Sequence, residues 1–189
     1  MKPNETRSVE ELCESIAAGE KAEFVLFYGH TPLPDGRIGK PCFSQWWPCH
    51  FELDGDIYKT AEHFMMAEKA RVFEDEEMRQ EILKAEKPGQ AKRFGRKVRG
   101  FDSETWDRAK REIVVTGNVA KFGQNPEMRD FLLETGDAVL VEASPRDRIW
   151  GIGMGVNNED ARNPKNWRGQ NLLGFALMEA RKQLRENVE

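Results

Sequence analysis

Two side chains of opposite charge stand where the sequence otherwise calls for an apolar surface. Glu62 and Lys69 lie in the stretch from Tyr58 to Phe73, whose residues repeat with helical spacing. At about 100° per residue, with Glu62 at the origin, Met66, Ala70 and Phe73 fall within about 80° on one side. Met65, Val72 and Ala61 fall within about 100° on the other, and Lys69 lands within about 20° of Glu62. The stripe is apolar, yet a carboxylate and an ammonium occupy its centre. His63, Glu68, Arg71 and Glu74 are expected on the opposite, solvated face. Charges on a buried face are costly unless they are paired or used. A fixed carboxylate suits proton transfer or activation of water. An ammonium suits phosphate binding or the tuning of that carboxylate. If burial lowers its pKa, it can instead attack an aldehyde as an amine. Seven residues span about 10 Å of helix, but helical side chains lean toward the N-terminus, which directs the amine back toward Glu62. A structural reading also exists for Glu62, since a first-turn acid stabilises its helix. That reading does not explain its place on the stripe.

The elements that must position this pair are readable in outline. Residues 50–53 and 56–58 flank Asp54-Gly55, a two-residue hairpin signal that feeds directly into the helix. Upstream, Ser8 to Glu11 form a capping-box pattern and Gly19 a stop, which predicts a short helix over 9–18. Phe24 to Tyr28 reads as a buried strand. Residues 29–41 hold three prolines and three glycines and form a loop long enough to cover a site. Adjacent Trp46 and Trp47 cannot face the same way on a strand; either one of them is available to a ligand, or both pack at the core edge.

Downstream, residues 75–86 form a charged helix and Pro88 opens another. Lys84 to Arg99 is strongly basic; most of it reads as a solvated face, with Arg96 the candidate to turn toward a phosphate. Asp102 or Ser103 caps a helix to Phe122 whose inward face is expected to hold Trp106, Ala109, Ile113, Gly117 and Ala120. Asn125 and Pro126 start a helix that stops at Gly136. Ala138 to Glu142 reads as a strand. The loop from Ser144 to Gly155 mixes Asp147, Trp150 and alternate glycines that permit close backbone approach; its spacing fits neither a dinucleotide fingerprint nor a Walker A loop. Residues 156–170 read as polar, irregular and exposed. Leu173, Leu177, Ala180 and Leu184 form the stripe of a last helix, with Arg181, Lys182 and Arg185 suited to its C-terminal end.

The chain has 189 residues, 29 Lys and Arg against 33 Asp and Glu, and a net charge of −4. That balance predicts no general attraction to nucleic acid or to an anionic membrane, though a local basic patch can bind a phosphate. Cys13, Cys42 and Cys49 form neither a disulfide framework nor a zinc pattern. The three histidines show no metal-ligand spacing. No apolar run approaches the roughly 18 residues of a membrane span and no signal-peptide core opens the chain, so a cytoplasmic protein is expected. Oligomeric state is not legible.

The ordered set of Phe43-Ser44, the Asp54-Gly55 hairpin, Glu62-His63-Phe64 with Lys69, Phe94-Gly95-Arg96, Trp106, Lys121-Phe122, Leu140-Val141-Glu142, Asp147, Trp150-Gly151 and Asn171-Leu172-Leu173-Gly174 resembles the YbiA/NADAR family. The resemblance covers residues 24–186 and leaves 1–23 as an N-terminal extension. It implies an α+β fold, a mainly helical single domain with a small antiparallel sheet. It also implies an N-glycosidase or ADP-ribosyl glycohydrolase that cleaves a C–N bond at a ribose. Substrates on that view are phosphoribosylated riboflavin-pathway intermediates or ADP-ribosylated guanine in nucleic acid. Glu62 then matches the family's essential glutamate, and Lys69, Trp106 and Asp147 match further active-site residues. Ser44, Trp46, Arg96, Trp150, Gly151 and Asn171 are candidate substrate contacts, and no metal or redox cofactor is called for. Family members often carry Ser-Asn-Phe where this chain has Ser44-Gln45-Trp46, and residues 29–41 and 156–168 look expanded. Both departures bear on the mouth of the pocket. The rival reading is a non-catalytic module that binds ADP-ribose or a nucleotide.

Overall fold

The computed structural model describes residues 1–186 and clusters into two compact units, residues 1–44 with 127–186, and residues 45–126. Among the described residues no helix is long and apolar enough to cross a membrane.

The first unit is built on two strands, β1 (Phe24–Phe27) and β4 (Val139–Glu142), paired in parallel with Phe24 opposite Val139 and Phe27 opposite Glu142. The ladder extends at both ends, where Val139 N–H donates to Glu23 O and Ala143 N–H to Phe27 O. Helix α1 (Val9–Ala17) starts at Ser8, whose hydroxyl accepts the Glu11 N–H, and Gly19 ends it at φ 96°. Leu12, fully buried, seats this helix in the first unit. Helix α6 (Pro126–Glu134) closes at Gly136, and helix α7 (Leu172–Glu186) packs along β4. Leu173, Leu177, Ala180 and Leu184 are buried as the stripe requires. Arg181, expected among the cations of the helix end, is instead 1% exposed. It lies one turn after Leu177 on the buried face, and its guanidinium donates to Thr135 Oγ1 at 2.7 Å and to Ala138 O at 2.9 Å. Burial lowers its pKa to about 10. The segment expected to be exposed, 156–170, contains two short 3-10 turns that bury Ala161 and Pro164.

The second unit is a helical cluster fed by a hairpin. Strands β2 (Phe51–Leu53) and β3 (Asp56–Tyr58) pair antiparallel. Asp54 (φ 52°) and Gly55 (φ 84°) make the turn, the positive-φ pair that a two-residue hairpin demands. Helix α2 (Ala61–Val72) follows at once, and α3 (Glu76–Lys84), α4 (Pro88–Gly95) and α5 (Ser103–Gly123) all pack on it. The antiparallel sheet expected from sequence is this hairpin; the parallel β1–β4 pair is a second, separate element.

Enclosure by three helices changes the face expected to be solvated. His63 is 1% exposed, with ring nitrogens 2.7 Å from Thr60 Oγ1 and 3.1 Å from Ala85 O. Burial lowers its pKa. Only Arg71 and Glu74 of that face remain exposed. The inward face of α5 also differs. Val114, Val115, Gly117, Asn118, Lys121 and Phe122 are its buried residues, whereas Trp106, Ala109, Ile113 and Ala120 are partly exposed. A one-residue error in phase turns a helix by about 100°, enough to exchange Ala120 for Lys121 on the core side.

Close approach fixes where α7 meets the sheet. A Cβ on Gly174 would fall on the Leu140 carbonyl oxygen and within 2.5 Å of Asn171 Nδ2. Backbone on that side cannot yield as a side-chain tip can. Gly174→Ala is therefore expected to destabilise the protein by at least about 2 kcal/mol, more than the roughly 1 kcal/mol of helix propensity it gains. Urea unfolding, with the midpoint falling at unchanged slope, measures this.

Candidate active site

Glu62 occupies the second position of α2 and is 3% exposed. Its place is fixed from both sides of the chain. Thr60 caps the helix by accepting the His63 N–H, and Glu62 donates its own N–H to Gln45 O at 2.9 Å. Two of the backbone donors orphaned at any helix start are satisfied this way, so the first turn is rigid and carries the positive end of the helix dipole beside the carboxylate.

Lys69 lies about two turns on and is half-buried. Its ammonium sits 4.1 Å from the centre of the Phe101 ring and 5.7 Å from that of Trp106. Among the described residues it makes no hydrogen bond or ion pair. Burial lowers its pKa from the ordinary 10.5. The two rings favour its charged form, while desolvation opposes it. Phe101 is 47% exposed and packs edge-on against Phe73 at 5.3 Å. Phe101 thus joins the candidate residues as the ring nearest the Lys69 ammonium. The sequence reading passed over it because it stands between elements, outside any periodic stripe.

Of the paired tryptophans, Trp47 is 8% exposed and Trp46 is the more accessible one. Trp46 lies against Gly89, and Lys92 Nζ is 5.8 Å from its ring. Arg96 caps the C-terminus of α4 with its side chain exposed. Gly95 beside it packs on Met66, where a Cβ would overlap the sulfur. Glu62, Lys69, Trp106, Trp46 and Arg96 thus all belong to the second unit. Two further members of this unit carry chemistry and stood outside the candidate site residues. Asn118 and Lys121 are both fully buried on α5; the one-residue phase shift kept them off the expected inward face, and Lys121 entered only through the resemblance motif.

The other candidates, Ser44, Asp147, Trp150, Gly151 and Asn171, belong to the first unit. Asp147 is partly exposed and its Oδ1 accepts the N–H groups of Ile149 at 2.9 Å and Trp150 at 2.8 Å. This local turn aims Trp150 and leaves Oδ2 without a hydrogen bond among the described residues. Carbonyls of residues 148–152 accept N–H groups of residues 168–173, from Arg168 to Ile152 at 2.9 Å through Leu173 to Trp150 at 3.1 Å. The loop therefore caps the start of α7. Gly151 is buried, and a Cβ there would lie 2.8 Å from Glu142 O. Asn171 is 0% exposed at φ 53°, with Oδ1 accepting the Glu142 N–H and Nδ2 donating to Leu140 O, both at 2.9 Å. Its amide completes the open edge of β4 as a neighbouring strand would. Ser44 ends the short turn Lys40–Phe43 and is partly exposed.

No group of three or more His, Cys, Asp or Glu side chains among the described residues is arranged to hold a metal ion.

A model of the NADAR domain matches residues 26–185. The chain is 41% identical over 170 residues to N-glycosidase R617 of Acanthamoeba polyphaga mimivirus, covering 87% of this chain and 98% of that one. The solution NMR structure of Escherichia coli YbiA matches with a TM-score of 0.70 and 32% identity, over 89% of each chain. The riboflavin biosynthesis protein VVA0006 of Vibrio vulnificus is 28% identical over 177 residues, 94% of this chain but 43% of that longer one.

The lowered pKa of Lys69 carries a testable sign. The folded protein binds this proton less readily than the unfolded chain, so the charge opposes folding below the folded-state pKa. Lys69→Met is expected to raise the melting temperature at pH 7. The gain should fade as pH climbs from the lowered value toward 10.5, where both states are neutral. Melting curves of both proteins between pH 6 and 11 read this directly.

Proposed function

The chain belongs to the NADAR family and is a glycosidase, and from that premise we propose that it hydrolyses the N-glycosidic bond of a ribose, with Glu62 as its acid/base. The observation that carries this reading is a carboxylate buried to 3% exposure in the first turn of α2, two turns ahead of a lysine whose pKa burial lowers. Cleavage of a ribose C–N bond builds positive charge on the anomeric carbon. It also needs a proton for the leaving nitrogen or an activated water. A rigid, desolvated carboxylate answers either need.

Lys69 has two roles open to it, as a fixed charge beside phosphate or carboxylate, or as an amine that attacks the ring-opened sugar aldehyde. We favour the amine. A lysine held over two rings with no carboxylate partner gives up its proton without stranding a buried anion. Trp106 and Trp46 supply flat apolar faces for the base, Arg96 an exposed cation for a phosphate, and Asp147 Oδ2 an acceptor for a ribose hydroxyl or water. Trp150, Gly151 and Ser44 complete the proposed contacts. Asn171 acts in this reading by positioning the loop, since both ends of its amide are spent on β4.

The substrate is a phosphoribosyl or ADP-ribosyl N-glycoside. ADP-ribosylated guanine, free or in a nucleic acid, and a phosphoribosylated aminopyrimidine are the two forms to try. The name of the Vibrio relative supports the second. With this reading go a cytoplasmic setting and chemistry that calls for no metal or redox cofactor.

Incubation with each substrate is expected to release base or sugar from one of them. Glu62→Gln should cut turnover at least about 100-fold while binding persists. Borohydride added during turnover should attach the sugar to Lys69, seen by peptide mass; absence of that adduct returns Lys69 to the electrostatic role. Undiminished release by Glu62→Gln would remove the central assignment.

A further inference from the structure

Gln45, at the start of the second unit, is built into it with its orientation decided. Asn118 donates through Nδ2 to Val114 O at 2.8 Å and to Gln45 Oε1 at 3.1 Å. Val114 O can only accept, so Asn118 must present its NH2 there. That same NH2 then faces Gln45, so the Gln45 atom it meets is the oxygen. The far side of the Gln45 amide is therefore a donor, Nε2, and among the described residues it has no hydrogen-bond partner. Asn118 holds this arrangement at a cost. It is 0% exposed and its own Oδ1 is buried without a hydrogen bond. Gln45 is 8% exposed and its backbone carbonyl accepts the Glu62 N–H at 2.9 Å. An oriented donor without a partner is thus anchored at the first turn of α2, directly beside the residue that bears the carboxylate.

We propose that Gln45 Nε2 donates a hydrogen bond to the 2-oxygen of the ribose whose anomeric bond is broken, with Asn118 as the residue that positions it. The assignment rests on the reading of Glu62 as the acid/base at the anomeric carbon. The 2-oxygen is borne on the next carbon of the ring, and Gln45 is the residue whose backbone carbonyl accepts the Glu62 N–H. Hydrogen bonds to a sugar 2-hydroxyl strengthen as the glycosyl carbon becomes cationic. A neutral amide suits the task, since it binds the hydroxyl without placing a second charge beside Glu62. A site built around such a donor also rejects ligands that lack the hydroxyl, because the donor is then left unsatisfied in a desolvated place.

The test compares pairs of ligands that differ only in this hydroxyl. Calorimetry measures binding of ADP-ribose and of ribose 5-phosphate, each beside its counterpart lacking the 2-hydroxyl on the anomeric ribose. The wild-type protein is expected to prefer the hydroxylated member of at least one pair by about tenfold or more. Gln45→Met keeps the length and removes the donor, and should bind both members alike. Gln45→Glu keeps an oxygen toward Asn118 and should likewise erase the preference, which covers the case of a poorly folded methionine variant. Asn118→Leu should shrink the preference by releasing the amide to turn, with a rise in KM larger than the fall in kcat. A preference that survives in both Gln45 variants overturns the proposal, as does a wild-type protein that ignores the hydroxyl in both pairs or binds none of the four ligands. Hydrolysis assays of Glu62→Gln run alongside. If that variant still turns over while the Gln45 variants lose the preference, the acid/base assignment fails and the Gln45 contact stands.

Discussion

The second unit depends on the burial of α2 on nearly every side. A helix enclosed by three others must satisfy each polar side chain it carries, because water is not there to do so. His63 shows the solution, with both ring nitrogens engaged by Thr60 and Ala85. The same enclosure demands that other helices come very close. A Cβ on Gly117 of α5 would lie 2.5 Å from the Phe64 ring, and Gly95 of α4 leaves no room for one beside Met66. These contacts hold the first turn of α2 in place. A carboxylate on that turn is then fixed before any substrate arrives, which is the condition for electrostatic and acid/base catalysis without reorganisation.

Local chemistry made much of this legible in the sequence. The Asp54-Gly55 turn, the Thr60 cap, the Pro88 start and the Gly136 stop each follow from the conformations that single residues permit or forbid. The α7 stripe was legible from the spacing of its apolar residues, although Leu173 to Met178 are buried without a break and Arg181 is buried with them. Periodicity misassigned residues on the enclosed helices. On α2 it assigned His63 to solvent, and on α5 it put the face one residue out of phase, which left Asn118 and Lys121 off the expected inward face. Parallel pairing of β1 with β4 could not be read either, because the strands are more than a hundred residues apart and nothing local sets their direction.

In the first unit, Asp147 and Asn171 look functional in sequence because both belong to the motifs that carry the family resemblance. Their observed bonds are largely to backbone. Asp147 Oδ1 builds a turn and the Asn171 amide stands in for a strand edge. Loop carbonyls capping the first N–H groups of α7 serve the same end. Polar residues used this way make an irregular loop stiff, and a stiff loop can present Trp150 and the second Asp147 oxygen in one orientation. Their structural work is thus compatible with a role at substrate, but it separates the atoms still available from those already committed. Residue identity alone cannot make that distinction.

The same distinction bears on Lys69. Among the described residues several lysines are held by anions: Lys59 by Glu86 at 3.0 Å, Lys110 by Asp107 at 2.6 Å, Lys84 by Glu81 at 3.5 Å. An anion beside an ammonium raises the cost of losing the proton. Lys69 is held by rings instead. The quadrupole of Phe101 attracts the charged form, but it asks for no proton and is left intact when the amine becomes neutral. Desolvation by burial lowers its pKa. An aromatic mount therefore places the charged amine without an anion that would resist its deprotonation, which suits the nucleophilic role proposed for it.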